Sequence, residues 1–292
     1  DAVKPSYLMT VGAVIQIAIG PPLIFGFEGF EGMGLTGAAL AFVIARGISF
    51  VMYGYYVAKD RLLVWSFGGF ISSSRAILHV GLPAIAANLI SPISLTVITR
   101  LLAGHGAAVV AGFSVASRIE TMLAMVMWAL SMSVAPFVGQ NWGAGLFERV
   151  QRALRVANIF ALSWGLFAFA CLYWLGPRLI ALVNDDPEVI EAASVYLLII
   201  PLGMGLMGVV ANSTSSFNAL GMPGPPLVIS LLQMLFLSVP LALVGNYLFG
   251  YRGIFIGSVV GISVTALVAF VWLRLTLRRR IQLARSKVDP IS

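Results

Sequence analysis

LVISLLQMLFLSVPLALVGNYLF, residues 227–249, carries no formal charge. After Gly250-Tyr251-Arg252-Gly253 a second apolar run, IFIGSVVGISVTALVAFVWLRL, fills residues 254–275. Each run matches the roughly 20 residues with which a helix crosses a hydrocarbon layer about 30 Å thick. The runs are continuously apolar instead of alternating, so they read as helices and not as barrel strands. Pro240 interrupts the first run, and Gly253, Gly257 and Gly261 recur every fourth residue in the second. That spacing gives the second helix a smooth small-residue face for close approach of a neighbour.

Working outward, six more apolar segments precede this pair, at 7–27, 34–56, 82–102, 107–139, 153–175 and 189–220. In chain order the eight are segments A to H. The expected fold is an all-α polytopic membrane protein with eight transmembrane helices. Composition agrees: 60% of the 292 residues are hydrophobic and 10% charged, with a mean hydropathy of +0.98. An ordinary soluble domain has about 45–50% and about 25%. The single cysteine, Cys171, excludes a disulfide framework and a Cys-rich metal site.

The net charge of +7 reads as a topology signal rather than as affinity for nucleic acid. Lys4, Lys59, Arg61, Arg75, Arg149, Arg152, Arg155 and the tail bases Arg274 to Lys287 fall on one side of an eight-helix weave. Glu28, Glu31, Asp185, Asp186, Glu188 and Glu191 fall on the other, with only Arg100, Arg178 and Arg252 as bases. The positive-inside rule then puts both termini in the cytoplasm. The chain starts on Asp1 and shows no signal-peptide pattern.

Hairpin A/B resembles hairpin G/H. Each has an apolar run with proline (Pro21 and Pro22, or Pro240), a Phe-Gly pair (Phe25-Gly26, or Phe249-Gly250), a short turn, and a glycine-rich opening to the next helix. From Gly34 to Gly253 the spacing is 219 residues, which implies a parallel repeat of six-helix halves. The expected organisation is 1–56 as the last two helices of an N-lobe, 57–79 as a cytoplasmic inter-lobe linker, 80–275 as a complete six-helix C-lobe and 276–292 as a basic cytoplasmic tail. On this reading the chain is a fragment of a twelve-helix protein lacking its first four helices.

Two G-x-G-x-x-G matches, at Gly32–Gly37 and Gly203–Gly208, follow or sit inside membrane helices instead of following a strand, so they read as packing glycines and not as dinucleotide sites. Asn184-Asp185-Asp186-Pro187-Glu188 reads as a helix cap rather than a divalent-ion site. No catalytic or metal-binding constellation is present, which points away from an enzyme. Three ionisable groups lie inside the spans: Arg46, Arg118 and Glu120. Each is costly in lipid unless paired or watered, so each marks function by default. Arg118 and Glu120 are two apart and face different ways. Glu120 is either a proton-coupling site in a wet cavity or one half of a structural pair with Arg46 or Arg100. Prolines at 21, 22, 92, 136, 201 and 240 free backbone carbonyls at membrane depth and can open polar pockets.

Gly81-Leu82-Pro83-Ala84, Val115-Ala116-Ser117-Arg118-Ile119-Glu120, Ala135-Pro136-Phe137-Val138-Gly139-Gln140-Asn141-Trp142-Gly143-Ala144-Gly145 and Phe217-Asn218-Ala219-Leu220-Gly221-Met222-Pro223-Gly224 together resemble the multidrug and toxic compound extrusion (MATE) family. The resemblance runs over essentially the whole chain. It implies a two-lobe exporter in a bacterial cytoplasmic membrane, monomeric and without cofactor, that moves organic cations or amphipathic drugs outward by alternating access against H⁺ or Na⁺. A lipid-linked saccharide flippase of the same superfamily is the alternative. The carboxylates that many members use are missing here: their N-lobe cation site maps to Gln16 and Gly20, and C-lobe acids map near Ser91 and Met207. Glu120 is left as the acid within the spans. Ion-coupling candidates are therefore Glu120, Arg118, Arg46 and Gln16. Substrate-contact candidates are Asn88, Ser91, Thr96, Met127, Asn212 and Gln233.

Overall fold

The computed structural model describes residues 3–27, 29–60 and 68–288, without the side chains of several residues at 3–6, 30, 76–91 and 284–288. The chain divides into two compact units, residues 1–72 and 73–292. Helices cover every apolar segment. They are α1 (Val3–Phe25), α2 (Gly34–Lys59), α3 (Phe70–Ala103), α4 (Ala107–Gly143), α5 (Phe147–Ala181), α6 (Pro187–Ile199), α7 (Met204–Ala219), α8 (Gly224–Leu231) and α9 (Val239–Val288). Two strands, β1 (Gly26–Phe27) and β2 (Phe30–Glu31), pair antiparallel between α1 and α2. Six helical stretches among the described residues are long and apolar enough to cross a membrane, the longest being Gly224–Leu283.

Residues 227–275 fold as the sequence leads one to expect, with the turn where Phe249 and Gly250 leave helical geometry. Gly250 has φ +60°, a conformation that strains any residue bearing a Cβ. The chain then doubles back. A Cβ on Gly253 would strike the Gly245 carbonyl, one on Gly257 would strike Leu241, and one on Gly261 would crowd Ser238. These pairings step apart symmetrically from the turn, the mark of an antiparallel helical hairpin. In the other unit α1 and α2 do the same: Gly26 also has positive φ, and a Cβ on Gly37 would strike the Leu23 carbonyl. The two hairpins are thus alike in geometry as well as in sequence.

Proline has different effects at different sites. Pro21, Pro22 and Pro136 lie within continuous α-helix. Segment F breaks instead: a 3₁₀ turn, Ile200–Gly203, containing Pro201 separates α6 from α7. Just before Pro240 the backbone widens into a π-helix, Leu232–Ser238. Proline has no N–H and its ring crowds the carbonyl four residues back, so the looser π spacing relieves the clash. Asp186 caps α6, its carboxylate accepting from the Glu188 N–H at 2.9 Å with Pro187 in the first turn.

Two regions prove more helical than the composition suggests. The 57–79 connection is helical up to Lys59 and again from Phe70, which follows Gly69 at φ +83° and whose first turn is tied by the Ser72 hydroxyl donating to the Gly69 carbonyl at 2.8 Å; its residues 61–67 lie outside the described residues. The basic tail continues α9 to Val288, and Arg280 donates to the Leu220 carbonyl at 3.3 Å.

In the unit 73–292 two large apolar clusters form, with a small third one of Ala124, Ala168 and Met204. The first gathers Val138, Val150, Phe217, Ile229, Ala269 and Leu273. The second gathers Leu102, Ala116, Ile180, Leu197, Ile254 and Phe255. Trp164 of α5 donates to the Leu123 carbonyl of α4 at 3.0 Å, and Ser131 of α4 bonds Ser215 of α7 at 2.6 Å.

Because Gly253 meets backbone rather than a movable side chain, Gly253→Ala is expected to destabilise the protein by about 1–3 kcal/mol in detergent thermal unfolding. Gly47→Ala, where nothing lies within 4 Å, is expected to show no loss. Equal behaviour of the two variants would contradict the close-packed hairpin.

Candidate functional site

Glu120 sits on the face of α4 that also carries Phe113, Ser117, Thr121, Ala124 and Trp128, and this face lines a cavity of about 460 Å³. The spacing of these residues is helical, so one stripe of α4 forms one wall. Ser94, Leu95 and Ile98 of α3 line it, as do Tyr196 of α6 and Phe255, Ser258, Val259 and Ile262 of α9. The remaining wall comes from the two irregular stretches. The 3₁₀ turn and the residues after it give Ile200, Gly203, Met204 and Met207; the π-helix gives Gln233, Met234 and Ser238. Non-α backbone at membrane depth is tolerated where protein or a cavity covers it, and that is where it occurs here.

Within the cavity the Tyr196 hydroxyl donates to Glu120 Oε2. The Tyr196 ring is fixed edge-on between Phe113, at 5.5 Å, and Phe255, at 5.1 Å between ring centroids. Tyr196 therefore delivers its hydroxyl at one point with little freedom to move. No Arg, Lys or His stands among the described lining residues, so the Glu120 carboxyl has a hydrogen-bond donor and no cationic partner. The Ser94 hydroxyl is buried on the same lining and lacks a partner among the described residues. A site of this chemistry offers one anionic group, a few hydroxyls and an amide within aromatic and thioether walls.

Of the residues singled out from sequence, the cavity brings together Glu120 and Gln233. Arg118 is exposed and points away from the cavity-lining face, as its two-residue offset from Glu120 requires. Thr96 is exposed, with its hydroxyl on the Pro92 carbonyl of its own helix at 2.9 Å. Met127 is buried against Gly208. Asn212 is buried too, donating to Asn158 Oδ1 at 3.1 Å, while its own Oδ1 lacks a partner among the described residues. Asn88 and Ser91 lie on α3, and their side chains are outside the described residues. In the unit 1–72, Gln16 is half-buried on α1; Arg46 is exposed on α2, its guanidinium 5.1 Å from the Phe42 ring. Tyr196 and Ser94 were not singled out from sequence. A phenol in a long apolar segment was the available signal for the first; for the second there was none, since serines are common in these helices. Among the described residues no group of three or more His, Cys, Asp or Glu could hold a metal ion.

Comparison with known proteins agrees with this architecture. The MatE family model matches residues 83–244. A Shewanella oneidensis protein named FAD transporter is 33% identical over 258 residues, covering 87% of this chain and 57% of its own length. A Thermotoga maritima protein named probable multidrug resistance protein NorM is 24% identical over 267 residues, covering 90% of this chain and 58% of its own. The chain thus spans a little under three-fifths of these relatives. Among solved structures, the Vibrio cholerae MATE transporter VcmN in its bent form superposes with a TM-score of 0.80 at 29% identity, covering 96% of this chain and 63% of that one. Apolar helices of membrane-spanning length, the superposition and the family match over more than half its residues agree: this chain is a multi-pass membrane protein that belongs to the MATE (MatE) family.

Proposed function

We propose that this chain is part of a secondary exporter that moves organic cations or amphipathic drugs out of a bacterial cell by alternating access, with Glu120 coupling export to inward H⁺ or Na⁺. The observation that carries the reading is the Glu120 carboxyl, held by Tyr196 in a membrane-depth cavity that has no cation among its described lining residues. A lone carboxylate in such a place is satisfied by a proton, by a small cation or by the charge of an incoming substrate. Only one of these can occupy it at a time, and this competition is the basis of exchange. Phe113, Trp128, Tyr196, Phe255 and the thioethers of Met204 and Met207 supply the adaptable apolar surface that a varied set of planar cations needs.

In this reading residues 80–275 form the six-helix C-lobe, 1–56 the last two helices of the N-lobe, and 57–79 the cytoplasmic connection. Eight helices cross the bacterial cytoplasmic membrane, and both ends of the chain are cytoplasmic on the strength of the Lys and Arg distribution. The protein works as a monomer, with no cofactor beyond the coupling ion. Arg118 and Thr96 remain candidates away from the described lining of the cavity, Arg46 and Gln16 remain candidates in the unit 1–72, and Asn88 and Ser91 remain candidates on α3. Met127 and Asn212 are buried within the bundle and do not line the cavity.

A second reading is export of a flavin dinucleotide. It is favoured by the 33% identity to the protein named FAD transporter, higher than the 24% to the probable multidrug resistance protein. The aromatic wall would suit a planar flavin ring equally well. The described lining of this cavity has no cationic side chain for a pyrophosphate, which weighs against the lipid-linked saccharide alternative and in equal measure against a dinucleotide, leaving the identity to the FAD transporter as the support for the second reading.

In cells carrying the full-length protein, ethidium accumulation is expected to fall, and collapsing the H⁺ or the Na⁺ gradient separately identifies the driving ion. Flavin measured in the medium distinguishes the second reading. Glu120→Gln is expected to reduce export by about an order of magnitude and to flatten its pH dependence. Unchanged export and pH profile would remove Glu120 from the mechanism. Tyr196→Phe keeps the carboxyl and the aromatic wall but loses the donor, so export is expected to persist with a displaced pH profile. A profile identical to the parent's would show that the hydrogen bond has no part in coupling.

A further inference from the structure

A second cavity, of about 510 Å³, lies between the first turns of α5 and the later turns of α9. We propose that it holds an anionic phospholipid of the surrounding bilayer, with the phosphate gripped by Arg155, Arg274 and Arg278. The three guanidiniums line the cavity together with Gln151. Arg274 and Arg278 are four apart and so share one face of α9. Among the described residues no acid lines the cavity, and no carboxylate pairs with any of the three. Three unpaired guanidiniums at one mouth favour a group of concentrated negative charge, and the planar fork of arginine suits phosphate oxygens.

The rest of the lining shows that the occupant is an amphiphile rather than a free anion. Along α5 the polar lining, Gln151, Arg155 and Asn158, gives way to Ile159 and Leu162; along α9, read backwards, Arg278 and Arg274 give way to Phe270, with Leu154, Leu273 and Leu277 buried among them. Polarity therefore falls in the same direction on both helices, as it does from headgroup to acyl chain. Ile159, Leu162 and Phe270 are 58%, 47% and 39% exposed, leaving apolar surface for a chain to cover. Basic pockets between membrane helices are a general means of holding acidic lipid headgroups. This inference depends on the chain spanning a membrane and is independent of what is transported.

The test is native mass spectrometry of the full-length protein, delipidated in mild detergent and titrated with phosphatidylglycerol or phosphatidylcholine. Phosphatidylglycerol is expected to bind about tenfold more tightly. The triple variant Arg155→Gln, Arg274→Gln, Arg278→Gln is expected to lose that preference. The variant Arg149→Gln, Arg152→Gln, Arg279→Gln removes the same charge outside the cavity and is expected to keep it. If the first variant fails to accumulate, Arg274→Gln alone is expected to weaken phosphatidylglycerol binding severalfold without affecting phosphatidylcholine. Equal affinity for the two lipids, equal loss in both triple variants, no effect of Arg274→Gln, or displacement of bound lipid by inorganic phosphate alone would each overturn the proposal.

Discussion

Hydrocarbon offers the peptide backbone no hydrogen-bond partner, and the layout of this protein follows from that constraint. It dictates helices through every apolar segment, and it allows departures from α geometry only where protein or a cavity covers the freed groups. The departures in the unit 73–292, the 3₁₀ turn at Pro201 and the π-helix before Pro240, both turn toward the Glu120 cavity. The features that would be a liability against lipid are thus the ones from which the candidate site is built. Pro21, Pro22 and Pro136 leave their helices continuous, so proline permits a break without compelling one.

Helices in lipid gain little from hydrophobic burial against each other, so close approach and polar ties carry their association. Both hairpins use the same device, glycines laid against the carbonyls of the preceding helix around a glycine of positive φ. The likeness between them gives the sequence repeat a physical meaning: the same turn solves the same packing problem twice. Polar ties then fix the larger bundle: Ser131 of α4 to Ser215 of α7, Trp164 of α5 to Leu123 of α4, and Asn212 of α7 to Asn158 of α5, which lines the second cavity.

Charge is distributed according to the same logic. Arg118 and Arg46 are exposed on their helices, whereas Glu120 is turned inward onto a single phenol. The cavity is left with an acid and no described cation, and the groove between the first turns of α5 and the later turns of α9 has three arginines and no acid among the described residues. Two cavities of similar size in one bundle thus carry described linings of opposite charge character.

The sequence alone determined the membrane-spanning class, the apolar segments that the helices cover, the likeness of the two hairpins, a helix cap within Asn184 to Asp186 and the family, because each is written in local composition or in residue order; the structure chose Asp186 and carried helix into the 57–79 connection and the tail. It also marked Glu120, since a carboxylate within an apolar span is conspicuous by cost alone. What it could not supply was the partner. Periodicity assigns a residue to a face of its own helix but does not say which helix that face meets. Tyr196 lies 76 residues from Glu120, and Asn158 lies 54 from Asn212. The choice of Tyr196 over Arg100, the inclusion of Ser94 and the displacement of Met127 and Asn212 from the described lining all depend on how the helices rotate and cross. Only the folded bundle fixes those rotations, through glycine contacts and helix breaks whose effect depends on the neighbours they meet.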